Sequence, residues 1–90
     1  MVDLSGAVLT PHALDRMRVR GIPQETVRAL LERPDSVREV RPGRVVAQGA
    51  YRRPEGDEYL LRVFVDIDRD PPEVATVYRT SKVEKYRRPP

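Results

Sequence analysis

Ninety residues carrying a formal charge of +3 and no cysteine leave room for one small domain and exclude disulfides and thiolate metal sites. A single histidine argues against a protein-only zinc centre, no apolar run approaches the ~20 residues of a membrane span, and nothing reads as a signal peptide. The expectation is one domain over 1–90, cytoplasmic, with no cofactor, metal or membrane partner.

Taken in chain order, Val2, Leu4, Val8 and Leu9 around Gly6 read as a short extended lead-in or a frayed end. A first helix is predicted over about 10–20, with Thr10 as its N-cap and Pro11 as its first residue, where a missing N–H costs nothing. Gly21 is placed to end it in a left-handed turn, with Ile22 folding back toward Met17. Ala13, Leu14 and Met17 form its apolar side. His12, Arg16 and Arg20, four apart, share another side. A second helix is predicted over about 23–33. It has an apolar stripe of Val27, Leu30 and Leu31, a weak cap at Ile22 and a stop at Pro34. The two helices read as a tight hairpin.

From residue 36 the pattern turns to strands. Ser36–Arg41 runs into a Pro42-Gly43 turn, and Arg44–Tyr51 follows. Tyr59–Asp66 alternates Leu61, Val63 and Val65, with Leu60 and Phe64 on the other face, the mark of a central strand. Glu73–Thr80 is the last strand. A basic tail begins at about 81, and its first turn has a helical pattern in Val83 and Tyr86. The fold class expected is α+β: an N-terminal helical hairpin packed on a mostly antiparallel four-stranded sheet.

All but two of the 17 basic residues are arginine, a side chain that stays charged and grips phosphate bidentately. Three constellations stand out. His12 with Arg16 and Arg20 joins a proton carrier to cations, the set that phosphodiester cleavage in RNA requires. The alternative is an ordinary histidine at a helix start. Tyr78-Arg79-Thr80-Ser81-Lys82 with Lys85-Tyr86-Arg87-Arg88 interleaves cations with aromatic rings, as RNA binding does, or is a core tyrosine followed by a solvated end. Asp66, Asp68 and Asp70 lack the glycine and the distal glutamate of a calcium loop and read as solvated turn acids.

The pattern Leu9-Thr10-x-His12-Ala13-x-x-Arg16-Met17-x-x-Arg20-Gly21-Ile22, then Val27, Leu30-Leu31, Pro34-Asp35 and Val77-Tyr78-Arg79-Thr80-Ser81-Lys82, resembles a small bacterial domain family of unknown function. It is similar to RelE-like toxins and related RNases of the barnase–EndoU–colicin–RelE group. The resemblance implies a two-helix, four-strand fold. It also implies a metal-independent endoribonuclease, the toxin of a bacterial toxin–antitoxin pair, cleaving RNA by attack of a 2′-hydroxyl. Its partners would be RNA, including ribosome-bound mRNA, and a cognate antitoxin protein. In that reading His12 is general base or acid, Arg16 and Arg79 hold the phosphate, and Tyr86 stacks on a base or donates a proton. Arg20, Thr80, Lys82 and Lys85 bind RNA. Pro23 stands where a Ser-like cap is usual, a departure that touches capping more than chemistry.

The alternative function is a non-catalytic protein- or nucleic-acid-binding module using the same basic face. A DNA-binding role for the helical hairpin is a third reading. Geometry separates the first two: cleavage needs His12, Arg16 and one of Arg79, Thr80 or Tyr86 around a common phosphate-sized site.

Overall fold

Residues 3–53 and 55–81 are described by a computed structural model. The elements are β1 (Val8–Leu9), α1 (Pro11–Arg20), α2 (Gln24–Glu32), β2 (Ser36–Arg41), β3 (Arg44–Arg52), β4 (Glu58–Asp66) and β5 (Glu73–Thr80). They form one five-stranded sheet in the order β1-β5-β4-β3-β2.

Local chemistry sets the ends of α1. Thr10 is extended, and its hydroxyl oxygen accepts from the Ala13 N–H, with Pro11 as the first helical residue. At the other end Gly21 adopts φ 67°, a conformation a side chain would strain, and the Ile22 N–H donates to the Met17 carbonyl at 2.9 Å. α2 begins less firmly. Pro23 is the cap rather than the first helical residue, and no side chain bonds the free amides.

The expected hairpin on a four-stranded, mostly antiparallel sheet is overturned. The sheet has five strands and is mixed, because Val8–Leu9 pairs in parallel with Glu73–Val74. A two-residue strand is too short to show alternation, and its partner lies at the far end of the chain. This strand also precedes both helices. Nor do the helices pair as a hairpin: α1 lies against β5 and α2 over β3. Ile22, just after the αL turn, is buried in the core, which ties the connection to the sheet.

β4 is the middle strand, as its two apolar faces predict. Leu61, Val63 and Val65 turn toward the helices and pair with Gly49, Ala47 and Val45 of β3. A register shift after Phe64 lets Val74 and Val77, three residues apart on β5, both enter the same core. Ala13 and Met17 of α1 and Val27, Leu30 and Leu31 of α2 close it. Gly49 is a point of close approach: a Cβ there would stand 2.5 Å from Leu30 Cδ1, so the bare backbone lets α2 seat on β3.

Asp66 is not the solvated turn acid its neighbours suggested. It ends β4 opposite Arg44, and the guanidinium donates to both carboxylate oxygens, Nε to Oδ1 at 2.6 Å and Nη2 to Oδ2 at 3.1 Å. A carboxylate with so little exposure requires such a partner.

Candidate nucleic-acid interface

β1 covers only the first residues of β5, so the rest of that strand's outer edge needs another cover. α1 provides it. The Thr10 hydroxyl donates to the Val74 carbonyl at 2.7 Å, and Arg20 Nη1 donates to the Val77 carbonyl at 2.7 Å. In return Arg79 Nη1 donates to the carbonyl of Arg20, one of the last helical carbonyls, which have no partner within the helix. The helix is thus clipped to β5 at both ends. Thr10→Ala is expected to lose cap and clip together, costing about 1–2 kcal/mol in urea denaturation, while Thr10→Ser keeps most of that stability.

The Arg20–Arg79 end carries the richest constellation in the described residues. Arg79 faces Leu61 across β4, and its guanidinium carbon lies 5.4 Å from the Tyr59 ring centroid. Arg53 approaches the same ring at 6.0 Å, with its Nε on Glu55 at 2.8 Å. Tyr51 stands opposite Tyr59 on β3. Arg20 and Arg79 are held by main-chain carbonyls, which fix a guanidinium without cancelling its charge. Neither pairs with a carboxylate among the described residues. Both are half-buried and have donors left over. The arrangement is a pair of fixed cations, one of them, Arg79, beside an aromatic ring.

His12 stands exposed in the first turn, with Arg16 one turn on. Arg16 Nη2 and Arg18 Nη2 both reach Asp15, each at 2.9 Å, and the two arginines hold that carboxyl below the usual range. Arg16 Nε is shielded from solvent and has no partner among the described residues. From His12 to Arg20 the helix rises about 12 Å. Arg16 thus sits midway along α1, four residues from His12 and four from Arg20, while Arg79 joins the Arg20 end, away from His12. Thr80 pairs with Leu60 and belongs to the opposite face of the sheet. Lys82, Lys85 and Tyr86, and the helical turn expected near Val83, lie outside the described residues.

That opposite face holds a second network that the sequence reading missed. Arg62 donates to Gln48 Oε1 at 2.7 Å and to the Tyr78 hydroxyl, and Gln48 Nε2 donates to Ser36 Oγ at 3.3 Å. Tyr78 stacks on Phe64 with centroids 5.9 Å apart. Tyr59 and Arg53 were missed for a related reason. Alternation puts Tyr59 on the face of Leu61, but only the β4–β5 register brings that face to Arg79.

Residues 9–79 match the family model described as domain of unknown function DUF4258. The chain belongs to that family. The matched span opens just before the α1 cap and closes at Arg79, so it contains both ends of the clip between α1 and β5. The match establishes DUF4258 as a small-domain family without an assigned activity, and it does not extend to RelE-like toxins. No curated protein and no solved structure matches the chain. Among the described residues of this DUF4258 domain, no helix is long and apolar enough to cross a membrane. No group of three or more His, Asp or Glu side chains among them is placed to hold a metal ion.

Proposed function

We propose that this DUF4258 domain binds single-stranded RNA at the Arg20–Arg79–Tyr59 end of α1. One observation carries the reading: two guanidinium groups are fixed on backbone carbonyls, uncompensated by carboxylate among the described residues, and one of them, Arg79, lies next to a half-buried tyrosine ring. Fixed cations suit phosphate oxygens, since little side-chain freedom is lost on binding. A tyrosine beside one of them offers a base a surface to stack on, with tolerance for sequence. A bare basic patch would lack that second part.

The test is fluorescence anisotropy with a labelled single-stranded oligoribonucleotide over a salt series. Wild-type affinity is expected to fall steeply with salt. Arg79→Met should weaken binding about tenfold and reduce the salt slope by about one. Tyr59→Leu, which keeps the apolar packing, should weaken binding with the slope unchanged. Affinity unaltered in both variants, or wild-type binding indifferent to salt, overturns the proposal.

Endoribonuclease action is the second reading: His12 stands exposed one turn from Arg16. With Arg79 at the other end of α1 and Thr80 on the opposite face, this reading requires Tyr86, outside the described residues, to complete the site. In it the Arg20–Arg79 end holds the strand, Arg16 meets the phosphate of the scissile linkage, and His12 takes the 2′-hydroxyl proton as the 2′-oxygen attacks phosphorus. The P–O5′ bond breaks to leave a 2′,3′-cyclic phosphate, and the departing 5′-oxygen takes a proton from water, as in a metal-independent toxin. The same RNA incubated in chelator, and host RNA followed after induced expression, give the measurement. Cleavage by wild type that His12→Ala abolishes supports it. Intact RNA with both proteins removes cleavage and leaves binding standing.

A further inference from the structure

The edge of the sheet remote from α1 is built differently. All six residues of β2 are exposed, including Val37 at 48% and Val40 at 49%. Among the described residues no strand lies beyond β2. Its outer N–H and C=O groups are therefore a template for another strand. Between β2 and the end of α2 runs a groove of about 840 Å³, with Leu31, Val37 and Val45 among its apolar lining. Its charge is opposite to that of the chain as a whole. Asp3, Glu32, Asp35 and Glu39 line it against the single cation Arg33, in a protein of net charge +3. Asp35 is partly engaged, accepting from the Ala50 N–H at 3.2 Å, whereas neither Glu32 nor Glu39 is tied into an ion pair among the described residues.

We propose that this groove docks a basic, extended segment of a partner protein, which adds to β2 as a sixth strand. Main-chain hydrogen bonds along the edge supply affinity without regard to sequence. Alternation supplies the selection, because every second side chain of the incoming strand turns into the groove. There, apolar residues meet Val37 and Leu31, and Lys or Arg meets Glu32 and Glu39. Glu39 shares the groove side of β2 with Val37 and meets the partner's cations, while Arg38 and Arg41 fall on the other side and keep the exposed edge charged there. The surface is at the other end of the sheet from the RNA-binding end and does not depend on that reading.

The test is a panel of octapeptides alternating Lys or Arg with Val, Ile, Leu or Phe, set against an acidic panel of the same alternation. Both are titrated into the 15N-labelled full chain. Basic members should shift the amides of 31–41 and slow hydrogen exchange along β2, with affinity falling as salt rises. Glu39→Lys, at an exposed position, should weaken that binding at least about tenfold while the spectrum stays folded. Three results overturn the proposal: no basic peptide bound, acidic peptides bound equally well, or shifts confined to α1, β5 or the Asp66–Asp70 turn. Concentration-dependent self-association in sedimentation velocity that Glu39→Lys abolishes assigns the edge to a second copy and also overturns it.

Discussion

Leu61→Ala is expected to cost about 3 kcal/mol of stability and to bring the domain close to unfolding at ordinary temperatures. Leu61 is 1% exposed on the central strand, and its neighbour across β3 is Gly49, which has no side chain to move in. The α2 residues nearest that position cannot follow either. Leu30 is already in contact with the Gly49 backbone, and a small hollow of about 220 Å³ lies beside Thr26, Ala29 and Leu61. Truncation therefore enlarges a void instead of closing one, and the cost sits well above bare transfer of the lost methylenes. A chain of 90 residues has little surplus to absorb it. Chemical denaturation reads the change as a shift of midpoint at constant slope. Leu61→Met, close in volume, should cost less than about 1.5 kcal/mol.

Acid is expected to remove the contribution of the Asp66 ion pairs, the close one with Arg44 and a longer one with Arg69 at 3.5 Å. Hydrogen bonding from Arg44 holds the Asp66 carboxyl below its ordinary value, outweighing the burial that would raise it, and the pairing raises the arginine in turn. The folded chain thus holds on to the ionised form to lower pH than the unfolded chain, in which the carboxyl titrates near about 3.9. The stabilisation is complete above about pH 5, declines as pH falls through the depressed folded value, and vanishes below it. Asp66→Asn, which leaves Arg44 facing a neutral amide, should lose about 2 kcal/mol at pH 7. Urea midpoints from pH 7 to pH 2.5 should show the gap between wild type and variant constant at first, then closing in the acid range. A gap that stays open at the lowest pH would falsify the assignment to Asp66 ionisation.

Much of the fold is legible in local chemistry. Thr10-Pro11 and Gly21-Ile22 mark both ends of α1, and Pro42-Gly43 marks the β2–β3 turn. The double-faced pattern of Leu60 to Val65 marks the central strand. What escapes is whatever depends on distant pairing. β1 has two residues and no pattern of its own, so its parallel partnership with β5 has no local trace. The burial of Asp66 depends on Arg44 standing opposite, and nothing in Asp66-Ile67-Asp68 announces it. The site divides along the same line. Spacing on one helix relates His12, Arg16 and Arg20, and alternation separates Arg79 from Tyr78 and Thr80. That Arg79 meets the Arg20 carbonyl, far from His12, follows from the way α1 lies on β5. Tyr59 joins them only through the register between β4 and β5.

The two margins of the sheet are unlike, and this bounds how the domain can assemble. On one side, among the described residues, a two-residue strand and a clasped helix leave no run of backbone long enough to recruit a neighbour. On the other, six residues lie bare. A molecule with a single adhesive margin is monovalent. Once that margin is occupied, growth by strand addition stops, and the complex terminates instead of propagating into a fibre.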